Sequence, residues 1–561
     1  MSKTMMCWPL FGTGLESLGC DRQPCQREVP TPASDQLLVR IDAIGLCFSD
    51  IKMIRAGEEH PRVYSKDLAE HPVIPGHEAV MTVVQAGSGE LAAAYPPGSR
   101  YIIQADIYVG GVGFAYGYAI DGGMAQYSIV DQRVLNGDEG SYLLPLADHV
   151  PAAVAALVEP WTCVIASYMI EPRQQVAAGG RMLVAMPPGE RREYTFSAPS
   201  AAHQSPATID CLEASQATMD NLRAAFPTAE MRVLPQPPEE SAYDDIVLCG
   251  AFEQGLGERL TRLGRQDAVI SFVGAAATGR WAFDVGSIHY RGWFYQGAPG
   301  LDMAAAYGRN TRSKPRPNGT CWLLGGAGAM GQMHTQLAVE NEDGPRRVLV
   351  TDLDDRRIAK VEQQMAAAIE RRGIEFRTLN PKNFPDEAAF LQAVREFAPD
   401  GFDDIVMLVP VVPVLNSAVD FLAEDGVMNI FAGIPVGQEA KLAVEAIANR
   451  GVRYIGSSGS RTYHLRHTLK LAESGALRPV TALAAVGGMR ALWEGLEGVA
   501  EGRFPGKTVI FPQCEDLPLT PVERLRELAP EVAEALGETG EYNGEVEQAI
   551  MRKFGKPAEQ G

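Results

Sequence analysis

The 561-residue chain has no run of 18 apolar residues, so no segment is expected to span a bilayer as a helix. It has no Cys-x-x-Cys pair. Its nine cysteines are scattered and odd in number, which suits reduced thiols in the cytoplasm better than a disulfide framework. Positive charge is in deficit: 50 Lys and Arg against 70 Asp and Glu give a net charge of −20. That balance argues against nucleic acid or an anionic membrane as the main partner. The N-terminus lacks a basic start followed by an unbroken apolar core, so no signal peptide is expected. What remains, 46% hydrophobic and 21% charged, is ordinary for a globular protein. The length exceeds a single core, and three or four domains are expected.

The most informative stretch runs from Cys321 to Thr335, CWLLGGAGAMGQMHT. An apolar run enters Gly326-x-Gly328-x-x-Gly331, a helix-compatible segment follows, and a second apolar run, Val348–Thr351, ends at Asp352, 21 residues after Gly331. The first glycine permits a turn, the second lets backbone approach a pyrophosphate, and the third lets helix and strand pack. The helix start, with Ala329 and Met330, presents N–H groups to phosphates, and Asp352 can hold the adenosine ribose hydroxyls. A carboxylate there favours NAD over NADP, a preference that Arg356 and Arg357 could soften.

Residues 1 to about 150 read as β-rich, with alternation in Leu37–Gly45 and dense Gly and Pro punctuation. Residues 152–170 read as helix interrupted at Pro160. The segment 319–460 carries strands at Cys321–Leu324, Val348–Thr351, Ile405–Val409 and Val427–Phe431, with helices at Arg357–Arg371 and Ala388–Phe397. That alternation predicts a doubly wound parallel sheet. Residues 180–300 read as a damaged second version of the same unit. Asp244-Asp-Ile-Val parallels Asp403-Asp-Ile-Val, and Asp244 to Gly274 spans the same 30 residues as Asp403 to Gly433. In the damaged version Met186-Pro-Pro-Gly-Glu stands where the glycine turn belongs; prolines remove donors and fix φ, so no phosphate nest is expected there. Residues 301–318 read as an exposed basic linker. The expected domains are thus 1–178, 179–300, the linker 301–318, 319–478, and a return segment with a helical extension at 479–561.

Four residues in the N-terminal third are candidate zinc ligands: Cys47, His77, Glu78 and Glu159. Thiolate, imidazole and carboxylate are the donors zinc takes in a site that keeps one position open. Cys47, His77 and Glu159 each have a plain structural reading as well: a buried thiol, a hydrogen-bonded histidine, a helix-end charge.

Together with Glu28-VPTP, Leu38-VRIDAIGLCFSD, Pro75-GHE, Gly122-GMAQY, Leu157-VEP and Gly506-KTVIFP, these motifs give a chain that resembles the zinc-dependent medium-chain dehydrogenase/reductases, the alcohol and polyol dehydrogenase superfamily. Tyr101-IIQA, Phe402-DDIV, Gly456-SSG and Leu517-PLTP are similar to its sorbose-1-phosphate reductase branch. The resemblance implies an α/β architecture: a GroES-like β-rich catalytic domain and a Rossmann doubly wound sheet, here with the degenerate Rossmann-like unit inserted between them. It implies a cytoplasmic oxidoreductase moving a hydride between NAD(H) and a secondary alcohol or ketone of a sugar, polyol or sugar phosphate. Cys47, His77, Glu78 and Glu159 would serve one catalytic zinc. No structural zinc is expected, because no cysteine lies between Arg100 and Tyr127. The resemblance places Ser49 as the proton-accepting hydroxyl, Asp50 as the orienter of a ligand histidine, and Lys52 where relatives often carry a relay histidine. It also implies a homo-oligomer, dimer or tetramer. Two other readings stay open at this point: a non-catalytic nucleotide-binding or assembly protein, and a zinc-free reductase on the same fold.

Overall fold

Alternating side chains along Leu37–Leu46 build the spine of the first unit, which comprises Met1–Ile165 and Gly459–Gly561. The computed structural model describes residues 3–197, 205–274, 279–538 and 540–555. Leu37–Leu46 pairs antiparallel with Glu78–Ala86 on one side and Lys507–Phe511 on the other, within an eight-stranded sheet. Its register sets Gly45 opposite Glu78, and Leu46 opposite Thr508. Residues near the start of two strands are thereby gathered at the end of a third.

The helix Phe48–Ala56 begins at that end, with Cys47 as its N-cap. Residues 152–167 form two helices, Ala152–Ala156 and Val158–Ser167. The break falls at Leu157 rather than at the expected Pro160. A proline in the first turn replaces an N–H that has no partner within the helix, so the second helix tolerates it. The helical tail packs its apolar face (Val532, Leu536, Val546, Ile550) into the same core. Its Glu547 carboxylate accepts the Ala152 and Ala153 N–H groups at 2.6 and 2.8 Å.

The expectation of reduced cysteines throughout is corrected at one place: Cys20 and Cys25 form a disulfide. Asp21 and Arg22 both adopt positive φ, making a tight turn in which Cys20 and Gln23 exchange backbone hydrogen bonds. The turn folds the chain back and brings the two Cα atoms to 5.3 Å. Among the described residues no helix is long and apolar enough to cross a membrane.

The second unit, Ala166–Ser458, holds two six-stranded parallel sheets. In the first, β1 is Arg181–Ala185, β2 Thr208–Leu212, β3 Glu230–Leu234, β4 Tyr243–Cys249 and β5 Gly264–Val273; after a short β6, Arg280–Asp284, comes β7, Phe294–Ala298. In the second, β8 is Thr320–Leu324, β9 Arg347–Thr351, β10 Glu375–Leu379, β11 Phe402–Met407 and β12 Leu422–Ile430; after a short β13, Glu439–Ala443, comes β14, Arg453–Ile455. The orders are β3-β2-β1-β4-β5-β7 and β10-β9-β8-β11-β12-β14, the dinucleotide-fold arrangement twice over. The short strands β6 and β13 pair antiparallel with each other. One core, including Trp281, Phe283, Tyr295, Phe402 and Tyr454, is common to both sheets.

Residues 301–318 are not a solvated connection. Arg309 donates to the Ala448 and Asn449 carbonyls, and Arg312 pairs with Asp404 and donates to the Asp403 carbonyl. Arg316 pairs with Asp403 at 2.7 Å. Arg312 and Arg316 neutralise the acidic pair at the start of β11.

Candidate metal and dinucleotide sites

In the first unit one ligand atom each from Cys47, His77 and Glu78 falls within 4.8 Å of the others. Asp50, fully buried one turn into the helix, organises the group. One carboxylate oxygen accepts the Cys47 N–H at 2.9 Å, and the other takes the Nδ1–H of His77 at 2.9 Å. A carboxylate acceptor fixes Nδ1 as the donor and leaves Nε2 with its lone pair, the tautomer a metal needs. Glu78 is wholly buried; Oε1 receives the Lys507 ammonium at 2.5 Å, and Oε2 has no hydrogen-bond partner. Gly45 lies directly against Oε2, where a Cβ would overlap it. An orphaned buried carboxylate oxygen beside a thiol and a lone-pair imidazole fits a divalent cation.

Glu159 sits in the first turn of Val158–Ser167, outside the three-atom cluster but electrostatically coupled to His77, Glu78 and Lys507. Burial pushes its carboxyl up to about 7, and His77 opposes the shift. Ser49 is half-buried in the helical turn after Cys47. Lys52 is exposed, its ammonium 5.9 Å from the Phe48 ring centre.

Sequence reasoning assigned no role to Lys507. Burial disfavours its charge, but the Cys47 sulfur and the Glu78 carboxylate hold its pKa above the usual lysine range. The available signal was a lysine opening an otherwise apolar strand, Lys507–Phe511. Tyr118 was also missed: its ring lies 5.8 Å from His77 and 5.3 Å from His60.

In the second unit β8 leads through the glycine turn into the helix Ala329–Glu340, with Gly328 as N-cap. The left-handed residue is Gly325, at φ 83°, one position before the expected Gly326. Gly326 is needed for another reason: a Cβ would press on Leu323 and Val350 at 2.9 Å. A Cβ on Gly328 would meet only the Gly325 oxygen, at 3.5 Å, so the turn is open on that side. A Cβ on Gly331 would overlap the Gly325 oxygen, so the helix seats on the turn only with glycine there. Thr335 donates its hydroxyl to the Gly326 carbonyl at 2.9 Å. Asp352 is half-buried at the end of β9, and its Oδ1 accepts the Leu353 and Asp354 N–H groups at 2.8 and 3.2 Å.

The corresponding end of the first sheet is filled by its own side chains. After β1 come Pro187 and Pro188, and Glu190 pairs with Arg192 at 2.6 Å over Gly250 at the end of β4. Arg192 donates to the Gly274 carbonyl at 2.9 Å, and the Tyr194 ring packs on Gly274 at the end of β5.

Comparison with known proteins matches residues 33–136 to the alcohol dehydrogenase GroES-like domain. Mannitol-1-phosphate 5-dehydrogenase of Aliivibrio fischeri is 24% identical over 507 residues, covering 90% of this chain and 86% of that protein. L-sorbose 1-phosphate reductase of Klebsiella pneumoniae is 29% identical over 142 residues, 25% of this chain and 33% of its own. Among solved structures, alcohol dehydrogenase from Thermotoga maritima aligns with a TM-score of 0.51 at 12% identity, covering 91% of this chain and 99% of its own.

Proposed function

We propose, from the premise that the chain is a medium-chain dehydrogenase/reductase, that it is a zinc-dependent enzyme exchanging a hydride between NAD(H) and a secondary alcohol or ketone of a phosphorylated polyol. One observation carries the reading: Cys47, His77 and Glu78 present ligand atoms within 4.8 Å of one another. Those three, with Glu159 entering from its helix, are the residues that would hold the ion. When bound, zinc supplies the Lewis acidity that lowers the pKa of the substrate hydroxyl. Asp50 keeps His77 in the ligand tautomer and ties it to the Cys47 backbone. Lys507 holds Glu78 in place and offsets its charge. Ser49 is the hydroxyl assigned to take the alcohol proton, and Lys52 is an exposed residue of the same helix. On the nucleotide side the turn Gly326–Gly331, with Ala329 and Met330, receives the pyrophosphate. Asp352 receives the adenosine ribose and disfavours a 2′-phosphate.

The surroundings of Tyr118 support a phosphate on the substrate. His60 lies one ring beyond Tyr118 from His77, and Arg62 reaches Asp106 at 2.6 Å. The pKa of His60 is lowered by burial first, and then by the positive fields of Arg62 and Lys52. Arg62 and Lys52 are the cations that bear on this side; Arg62 keeps 45% of its side-chain surface exposed beside its Asp106 pair, and a substrate phosphate would share it. Both relatives described above are named for hexose- or hexitol-phosphate substrates.

Elemental analysis and an NAD-reduction screen of hexitol phosphates beside their dephosphorylated forms test this reading. One zinc per chain is expected, with a KM at least about ten-fold lower for the phosphorylated compounds and a loss of that difference in Arg62→Gln, about 1.4 kcal/mol of recognition. Protein without stoichiometric zinc would favour the non-catalytic assembly reading. Asp352→Ala is expected to weaken NAD binding more than NADP binding; equal losses would remove its assigned role.

A further inference from the structure

The two sheets of the second unit agree well beyond strand order. Asp244 accepts the Arg181 N–H at the start of β1, and Asp403 accepts the Thr320 N–H at the start of β8. Asp245 is gripped by Arg173, and Asp404 by Arg312; each arginine stands eight residues before the opening of its own first strand. Both sheets interrupt their register at the same step, Tyr243/Asp245 and Phe402/Asp404. Asp267 and Asp425 both hold positive φ, at 58° and 54°, and each leaves space only for a glycine beside it, Gly292 and Gly451.

The contact between them is isologous. Arg280 pairs with Ala443, Ala282 with Lys441 and Asp284 with Glu439. Since Arg280 and Glu439, Ala282 and Lys441, and Asp284 and Ala443 are each 159 residues apart, every position faces the equivalent of its own partner, as across a two-fold axis. Two ion pairs flank the strands, Arg262 with Glu439 and Arg280 with Asp420, and their charges are exchanged between the halves. Two N-terminal halves paired in this way would oppose arginine to arginine, and two C-terminal halves would oppose aspartate to glutamate. Only the mixed pairing matches charge.

Polar support runs one way across this contact. The helix Val285–Arg291, after β6, lies against the loop that leaves β12. Asp284 accepts the Gly437 N–H at 3.0 Å, Val285 N–H donates to the Gln438 carbonyl at 3.1 Å, and the His289 ring lies 3.0 Å from the Ile430 carbonyl. Gly286 packs on the Pro435 carbonyl so closely that a Cβ would overlap it. The equivalents of Asp284 and His289 in the C-terminal half are Ala443 and Ala448, which have no polar side chain to return. In a dinucleotide fold the first three strands hold the adenosine half, and the crevice ends of the later strands receive the other half of the cofactor. The loop after β12 is that second rim.

We propose that segment 166–300 is a resident, nucleotide-free partner of the C-terminal sheet. It occupies the β13 strand edge, and through Asp284 and His289 it positions the rim that takes the nicotinamide half of the cofactor. Asp284 and His289 are positioning residues, and this part rests on the dinucleotide reading of Gly326–Gly331.

The test uses the full chain. NADH and AMP are titrated by fluorescence and calorimetry into wild type, Asp284→Ala and His289→Ala. About ten-fold weaker NADH with unchanged AMP is expected, because AMP occupies only the first half of the site. Equal weakening of both ligands, or of neither, overturns the positioning role. If wild type bound neither nucleotide, the dinucleotide reading itself would fall, and the positioning role with it. The pairing is read separately by thermal unfolding: Arg280→Glu lowers Tm by the same amount at every protein concentration, and adding Asp420→Arg restores it. A Tm loss that varies with concentration would mean that the edge pairs between chains, and the resident-partner role would be lost.

Discussion

The two parallel sheets of the second unit share their frame and differ in the few residues after the first strand. The C-terminal sheet has glycines at 325, 326, 328 and 331, so a helix can start close over the strand ends and leave the turn open. The N-terminal sheet has Pro187, Pro188 and the Glu190–Arg192 pair, and its strand ends are covered from within. What is held in common, the Asp-Asp pair with its arginine and the β6–β13 pairing, is what builds the fold. What differs decides whether a ligand can enter. The comparison breaks most sharply at Gly331. Gly331→Ala forces a methyl into the Gly325 oxygen and is expected to weaken NADH at least about 100-fold, or about 2.7 kcal/mol. Gly189→Ala, in the prolyl turn at φ 83° with open space around it, should cost about 1 kcal/mol of stability and leave NADH untouched. Nucleotide titration of the two variants side by side reads the contrast; similar losses in both would mean that the prolyl turn also contributes to binding.

Much of that contrast was legible in the chain. The repeated Asp-Asp-Ile-Val, the glycine spacing and the Met186-Pro-Pro break marked one intact and one altered version of the same unit. The residue types of the Cys47, His77 and Glu78 cluster were legible too, but their proximity was not. It depends on register, Gly45 against Glu78 and Leu46 against Thr508, which no spacing along the sequence reveals. Lys507 stayed hidden because a buried lysine in a strand declares no partner. With two adjacent glycines, only the structure tells that Gly325 carries the left-handed turn and Gly326 the close packing. Arg312 was concealed by its surroundings: a proline-rich basic stretch reads as solvated until Asp403 and Asp404 are seen to fill its charges.

The shared arginines give the second test, now of likeness. Asp245 and Asp404 are nearly fully buried, and Arg173 and Arg312 are their charged partners. Removing the arginine strands a buried carboxylate, which costs about 3–5 kcal/mol for a fully buried pair and less here, where the arginines keep 28% and 20% of their side-chain surface exposed. Arg173→Ala and Arg312→Ala should therefore fall close to each other in urea unfolding, at about 2–3 kcal/mol. The pH dependence has a definite sign. Burial pushes Asp404 up to about 6, above its unfolded value, so the folded form binds more protons in that window. Arg312 holds that pKa down, so its removal raises it further: the cost of Arg312→Ala is full only above the variant's own, higher pKa and shrinks as pH falls from there towards 6. Costs that differ by several kcal/mol would show that the two frames are not equivalent.

The finest test lies at Asp267 and Asp425, matched aspartates at φ 58° and 54°. An L side chain in the left-handed region costs about 1–2 kcal/mol, less for aspartate, whose carboxylate can bond locally. Glycine removes that strain but makes the unfolded chain freer, which takes back roughly 0.5–1 kcal/mol. The balance for Asp267→Gly and Asp425→Gly is a gain of about 0.5 kcal/mol or less, and it should be the same in both sheets, because each residue turns the chain at the same bulge before the long central strand. Asp425 has one added constraint: its carbonyl accepts from Asn310 at 3.0 Å and from Arg312 and Arg316 at 3.3 and 3.4 Å. Those bonds use the backbone and survive the substitution, so parity between the two variants in denaturant midpoint is the expected result. A loss confined to Asp425→Gly would mean that the linker arginines read the aspartate side chain, and the two bulges would then serve different ends.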